Sequence, residues 1–217
     1  MSTDNFPAIK KPALIIVDMQ NDFIRDGAPL EVPGGRDIIG RNLALLQYFR
    51  ETGLPVVFLR WLATENDPKR RLEGKFSWMS LLDETTQSCR LGFKRRYRDV
   101  EGERDGSAVI DELTPQNNEF TVFKYGYGGF YGTALGEHLA QLGVDTLVVT
   151  GVVAECCVED TVRQAWNHAY ATLAVSDAIA AMSEKRMAES MSVIEENYGW
   201  VATTGEVISL LNQNNNK

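Results

Sequence analysis

The sequence predicts an α/β fold built on a parallel sheet with helices on both faces. Three observations carry this. Five short apolar runs are spaced along the chain. Each is continuous rather than alternating in polarity, as in strands covered on both sides. Amphipathic stretches with helical spacing follow several of them, giving the strand–helix alternation of a parallel sheet.

The strands are expected at residues 13–17 (ALIIV), 55–59 (PVVFL), 120–123, 146–150 (TLVVT) and 171–175 (ATLAV). The first helix, 37–52, carries Ile38, Leu43, Leu46 and Phe49 on one side and stops before Gly53. The second, 133–142, carries Leu135, Leu139 and Leu142 and stops at Gly143. Two more are expected at 157–169 and 184–197. Residues 63–114 break the rhythm, with polar runs such as ENDPKRRLEGK and CRLGFKRRYRD. A connection of that length is usually functional. It reads as an excursion over the carboxyl edge of the sheet, not a second domain. The tail NQNNNK reads as frayed. The expectation is one domain over 1–217, with flexible ends at 1–10 and 212–217.

The bulk numbers suit that picture. The chain has 217 residues, enough for one sizeable core. A net charge of −8 argues against nucleic acid or an anionic membrane as partner. MSTDNFPAIKK lacks the apolar core of a secretory signal, and no apolar run approaches a bilayer span of about 20 residues. Three cysteines do not make a disulfide framework, and an odd number leaves a thiol free. A cytoplasmic location is the expectation.

In open parallel sheets, ligands bind beyond the carboxyl ends of the strands. The residues there are Asp18, then Arg60 and Trp61, then Lys124, then 151–157. A carboxylate, an ammonium and a thiol thus meet at three strand ends. Cys157 opens a predicted helix, whose dipole would lower its pKa and favour thiolate. The ordinary alternative is a small buried hydrophobe. Asp18 could take the thiol proton and pass it to a departing amine, or simply form a turn. Lys124 could hold Asp18 ionised and offset charge on sulfur, or be a solvated lysine. Backbone N–H groups in the turn before Cys157, including its own, could bind a developing oxyanion. Phe23, Trp61, Tyr127 and Phe130 are candidates to line a pocket, with core packing as the alternative. Arg60 could grip a substrate carboxylate. The 94–98 cluster of Lys94, Arg95, Arg96 and Arg98 could do likewise, although such a run is usually a solvated face.

At these residues the chain resembles the isochorismatase-like cysteine hydrolases. The matching segments are ALIIVDMQNDF (13–23), KYGYGGFYGT (124–133), VVTGVVAECCVEDTVRQA (148–165) and LAVSDAIAA (173–181). The resemblance implies a three-layer α/β/α sandwich on a six-stranded parallel sheet. It implies a triad of Asp18 as general base, Lys124, and Cys157 as nucleophile directly before Val158, with Cys156 at a variable, non-catalytic position. It also implies a cis peptide between Val153 and Ala154 that orients an oxyanion-hole N–H at Ala154. The chemistry is a thioester route that needs no cofactor. Assembly is expected as a homodimer or homotetramer.

The nicotinamidase branch of that family holds a metal with an aspartate and closely spaced histidines after the second strand. The corresponding RWLATENDPKRR has no histidine, and His138 and His168 fall in predicted helices. No metal is expected. Several vinyl-ether-cleaving isochorismatases lack the cysteine, so Cys157 favours C–N cleavage of a small amide or ureido compound. KYGYGGFYGT and ENYGWVATTGEV look most like ureidoacrylate and N-carbamoyl amidohydrolases. Three alternatives stay open: a vinyl-ether hydrolase, a metal-free nicotinamidase-like amidase and a non-catalytic binding protein.

Overall fold

The computed structural model describes residue 6, residues 8–64 and residues 68–215. The elements in chain order are β1 (Pro12–Val17), α1 (Asn21–Ile24), α2 (Ile39–Glu51), β2 (Val56–Trp61), β3 (Lys94–Arg96), β4 (Glu103–Asp105), β5 (Phe120–Lys124), α3 (Leu135–Leu142), β6 (Thr146–Val152), α4 (Glu159–Asn167), β7 (Ala171–Ala180), α5 (Glu184–Asn197), β8 (Trp200–Ala202) and α6 (Thr204–Asn215). Six of the strands form one all-parallel sheet in the order β5-β2-β1-β6-β7-β8.

Alternate residues of β1 feed two cores. Ala13, Ile15 and Val17 pack under α3, α4 and α5 with Leu135, Val162 and Ile194. Leu14 and Ile16 pack under α2 and α6 with Leu45, Phe49 and Leu211. Every residue of β1 is buried, which is why its sequence is uniformly apolar. The result is a three-layer α/β/α sandwich.

All five expected strands and all four expected helices are present; α5 keeps its expected bounds and the others are shifted. β7 runs to Ala180, because a register shift between Val149 and Gly151 lets β6 pair again with Ile179 and Ala180. α4 starts at Glu159, and Cys157 lies in a preceding π-helical turn, Ala154–Val158, instead of opening the α-helix. β8 is the sixth strand that the resemblance implies; it has only three residues, too few for a readable pattern in the sequence, and α6 was not expected. α6 continues to Asn215, well into the tail read as frayed. Residues 1–5, 7 and 216–217 of the expected flexible ends lie outside the described residues.

Among its described residues the 63–114 excursion holds short 3-10 turns at Pro68–Leu72, Ser77–Leu82 and Asp111–Leu113 and the β3–β4 antiparallel ribbon. The chain moves from β1 outward through β2 to β5, then restarts on the other side with β6. The gap between the loops leaving β1 and β6 is therefore the switch point at which parallel sheets bind ligands. Among the described residues no helix is long and apolar enough to cross a membrane.

Candidate active site

Asp18 follows the last residue of β1 and adopts a left-handed backbone, φ +49°. That conformation is uncommon for a residue with a side chain, although aspartate tolerates it better than most. It ends the strand and turns the carboxylate across the tip of β2. There Asp18 Oδ1 accepts the Trp61 N–H at 2.9 Å. The same N–H lies 2.7 Å from Oε1 of Gln20, whose amide donates to the carbonyls of Trp61 and Ser107. Lys124 ends β5 in register with Trp61 and reaches past β2 to place Nζ 2.8 Å from Asp18 Oδ2. It also donates to the Gly126 carbonyl at 3.2 Å. From the other side of β1, the Cys157 thiol comes close enough to interact with both Asp18 and Lys124. Asp18, Lys124 and Cys157 are 1%, 0% and 6% exposed, so the three groups interact with almost no screening by solvent.

One backbone close approach and one set of hydrogen bonds hold this geometry. Gly151 sits at φ +102°, and a Cβ there would overlap the Val17 carbonyl oxygen, so only glycine lets β6 come this close to β1. The loop after Lys124 is fastened to α4. Gly129 N–H donates to Thr161 Oγ1, which donates to the Cys157 carbonyl, while Phe130 and Tyr131 N–H both donate to Gln164 Oε1. The lysine-bearing loop and the cysteine-bearing turn are thereby one unit.

Burial pushes the Asp18 carboxyl up, and the Lys124 ammonium opposes this. Burial alone would depress Lys124, but its partners, the Asp18 carboxylate foremost, outweigh it and raise the ammonium. The Cys157 thiol is pushed up by burial, with Lys124 pulling down and Asp18 pushing up. This goes against the thiolate expectation: burial raises the thiol, and sulfur keeps its proton until a base takes it. The neighbouring Cys156 is pushed up to about 11, again chiefly by burial.

The cis peptide lies at Val152–Val153, one residue earlier than expected, where β6 gives way to the π turn. In that turn Cys156 and Val158 N–H both donate to the Val153 carbonyl, so neither is available to a ligand. Ala154 and Cys157, the residues expected to offer oxyanion donors, belong to the same turn and are buried.

A cavity of about 340 Å³ opens over Cys157. Phe23, Trp61 and Tyr127 line it, as expected from sequence. Phe130 does not. It is 7% exposed and stacks on His168 at 4.7 Å, because Gln164 draws its backbone toward α4. Arg60 also points elsewhere. Neighbouring positions of β2 face opposite sides of the sheet, and its guanidinium donates to the Ser107 carbonyl and hydroxyl over the Phe123 ring. Sequence reasoning missed Trp78, Leu81, Met182 and Arg186, which also line the cavity. Trp78 and Leu81 come from the Ser77–Leu82 turn, where no periodic signal marks them.

The excursion is held over the site by Asp22. This fully buried carboxylate accepts from Tyr97 Oη at 2.6 Å and from Cys89 N–H at 2.7 Å, and pairs with Arg95 Nε at 2.9 Å. Arg95 is therefore an internal anchor, whereas Arg98 is an exposed residue beside Asp26. A separate, larger groove of about 720 Å³ lies at the opposite, amino-terminal end of the strands beside Trp166 and Trp200 and contains none of the three site residues. Among the described residues no three of His, Cys, Asp and Glu stand close enough together to hold a metal ion.

Residues 12–206 match the model of the isochorismatase domain. The chain belongs to the isochorismatase family. Among its relatives is the ureidoacrylate amidohydrolase RutB of Methylobacterium radiotolerans, 30% identical over 212 residues, covering 91% of this chain and 78% of that one. The solved N-carbamoylsarcosine amidase of Thermoplasma acidophilum is 31% identical with a TM-score of 0.72, covering 90% of this chain and 97% of that one. A cysteine hydrolase of Pseudomonas syringae pv. phaseolicola is 28% identical with a TM-score of 0.79, covering 97% and 99%. The family shares the six-stranded α/β/α architecture described above.

Proposed function

We propose that the chain is a cysteine-dependent amidohydrolase that cleaves a C–N bond of a small amide or ureido compound through a thioester. The observation that carries this is the buried contact of one thiol with one carboxylate, the carboxylate itself held by a lysine at 2.8 Å. Lys124 keeps Asp18 ionised although burial opposes it, so Asp18 is a base poised beside a protonated nucleophile. Asp18 takes the thiol proton as sulfur attacks the substrate carbonyl. The oxyanion is met by the Ala154 and Cys157 N–H groups. As the C–N bond breaks, Asp18 returns the proton to the leaving nitrogen, and ammonia or an amine departs. Water, deprotonated by Asp18, then attacks the thioester, the C–S bond breaks and the thiol regains its proton. No step calls on a cofactor. Phe23, Trp61 and Tyr127 hold the non-reacting part of the substrate, and residues 1–217 act as one domain. The names of the relatives above support the reaction class.

The test is ammonia release from a panel of primary amides and ureido acids, with Cys157→Ala, Cys156→Ala and Asp18→Asn as controls. Loss of at least about 10³-fold in Cys157→Ala and Asp18→Asn, with Cys156→Ala active, is expected. Mass spectrometry of quenched enzyme should place an acyl group on Cys157. Full turnover by Cys157→Ala would overturn the mechanism.

A further inference from the structure

The walls of the cavity point to a substrate class different from the one in the relatives' names. Three aromatic rings form a continuous face. Phe23 and Trp61 lie 6.2 Å apart between centroids, and Trp61 meets Trp78 edge-on, also at 6.2 Å. Leu30, Leu81, Tyr127 and Met182 also line the cavity. A volume of about 340 Å³ equals about eleven waters in the liquid. That is far more room than a carbamoyl or amide head requires.

The charged residues at the cavity are Glu31 and Arg186, and each already has a partner within the protein. Glu31 pairs with Arg36 at 2.6 Å. Arg186 pairs with Glu155 at 3.2 Å, and Glu155 also accepts the Met182 N–H at 3.3 Å. An anionic substrate at Arg186 would compete for that cation with Glu155, a carboxylate only 17% exposed whose Oε2 has no hydrogen-bond partner among the described residues. Leaving a buried charge unpaired is costly. Beneath the cavity, the Asp18–Lys124 pair is also neutral overall.

We propose that the site selects a neutral amide whose non-reacting part is apolar and ring-sized, with Trp78 and Leu81 as the residues that impose this choice. The proposal rests on the hydrolase reading above. Both residues sit on the excursion, which Asp22 anchors over Cys157, so specificity is carried by a segment separate from the catalytic strand ends.

The experiment compares kcat/KM for 3-phenylpropanamide, propanamide and ureidoacrylate in wild type, Trp78→Ala, Trp78→Phe and Leu81→Ala. Expected is a preference for 3-phenylpropanamide of at least about 100-fold over propanamide, since a single extra methylene in an apolar pocket is worth about 10–200-fold. Trp78→Ala and Leu81→Ala should each lower it about 10-fold or more for the ring substrate while propanamide changes less than about 3-fold. Trp78→Phe, which keeps a ring, should recover most of the loss and so separates specificity from misfolding. Ureidoacrylate cleaved as well as or better than 3-phenylpropanamide would overturn this proposal and leave the hydrolase reading standing. If no amide is cleaved, calorimetry of 3-phenylpropanamide with wild type and Trp78→Ala decides. Binding with a negative heat-capacity change that the variant loses upholds the apolar site while the hydrolase reading falls; no binding overturns both.

Discussion

Replacing Lys124 by methionine tests the physical core of the site. The ammonium and the Asp18 carboxylate are 2.8 Å apart, and both side chains are essentially inaccessible. Coulomb's law at that separation, with an effective dielectric near 20, gives an attraction of about 6 kcal/mol. Part of this offsets the desolvation of both ions. The net cost of deleting one partner from a buried pair is about 3–5 kcal/mol. Lys124→Met should therefore lose about that much stability at pH 8 in urea unfolding, together with at least about 10³-fold in kcat/KM. The sign of the pH dependence follows from the stranded carboxylate. Without Lys124, the folded-state pKa of Asp18 rises further above its unfolded value. A group raised in that way favours the fold below its unfolded pKa and loses that contribution as pH rises through the folded one. The destabilisation should thus be smaller at pH 5 than at pH 8. The double variant Asp18→Asn/Lys124→Met should recover most of the stability and none of the activity, because no charge is left unpaired. A loss below about 1 kcal/mol at pH 8, or a double variant no more stable than Lys124→Met, would refute the account of Asp18 as a base kept ionised by its lysine.

Two further outcomes follow from the packing. Gly151→Ala would force a side chain onto the Val17 carbonyl at φ +102° and should cost about 2–5 kcal/mol, measured by urea unfolding. Glu119 is gripped by the Arg50 fork at 2.7 and 2.8 Å and by the Gln116 N–H. Burial pushes its carboxyl up, but these partners outweigh it and hold the pKa below the ordinary value. Its contribution is present above the unfolded pKa and lost as pH falls through the depressed folded one. Glu119→Gln should accordingly cost about 1.5–3 kcal/mol at pH 7, and the difference from wild type should shrink at pH 3.

What the sequence determined by itself is the sheet and the three chemical groups at its edge. Ala13–Val17 is apolar at every position and Thr146–Thr150 is buried at every position because they are central strands, and that signal survives in one dimension. Asp18, Lys124 and Cys157 were legible because a parallel sheet brings its strand ends to one edge whatever the loops do. The family segments then singled out Cys157 over Cys156.

Tertiary structure decided the rest. Phe130 and Arg60 carry residue types suited to a pocket. Gln164 draws one into the core, and the pleat turns the other toward Ser107. Trp78, Leu81 and Arg186 have no local pattern that marks them as pocket residues. They arrive from an irregular segment and a helix start that are far from Cys157 in sequence. The protonation of the thiol was also beyond sequence. A position near a helix start argued for thiolate, but the sign of the shift depends on how completely water is excluded, and exclusion is a property of the whole packed site.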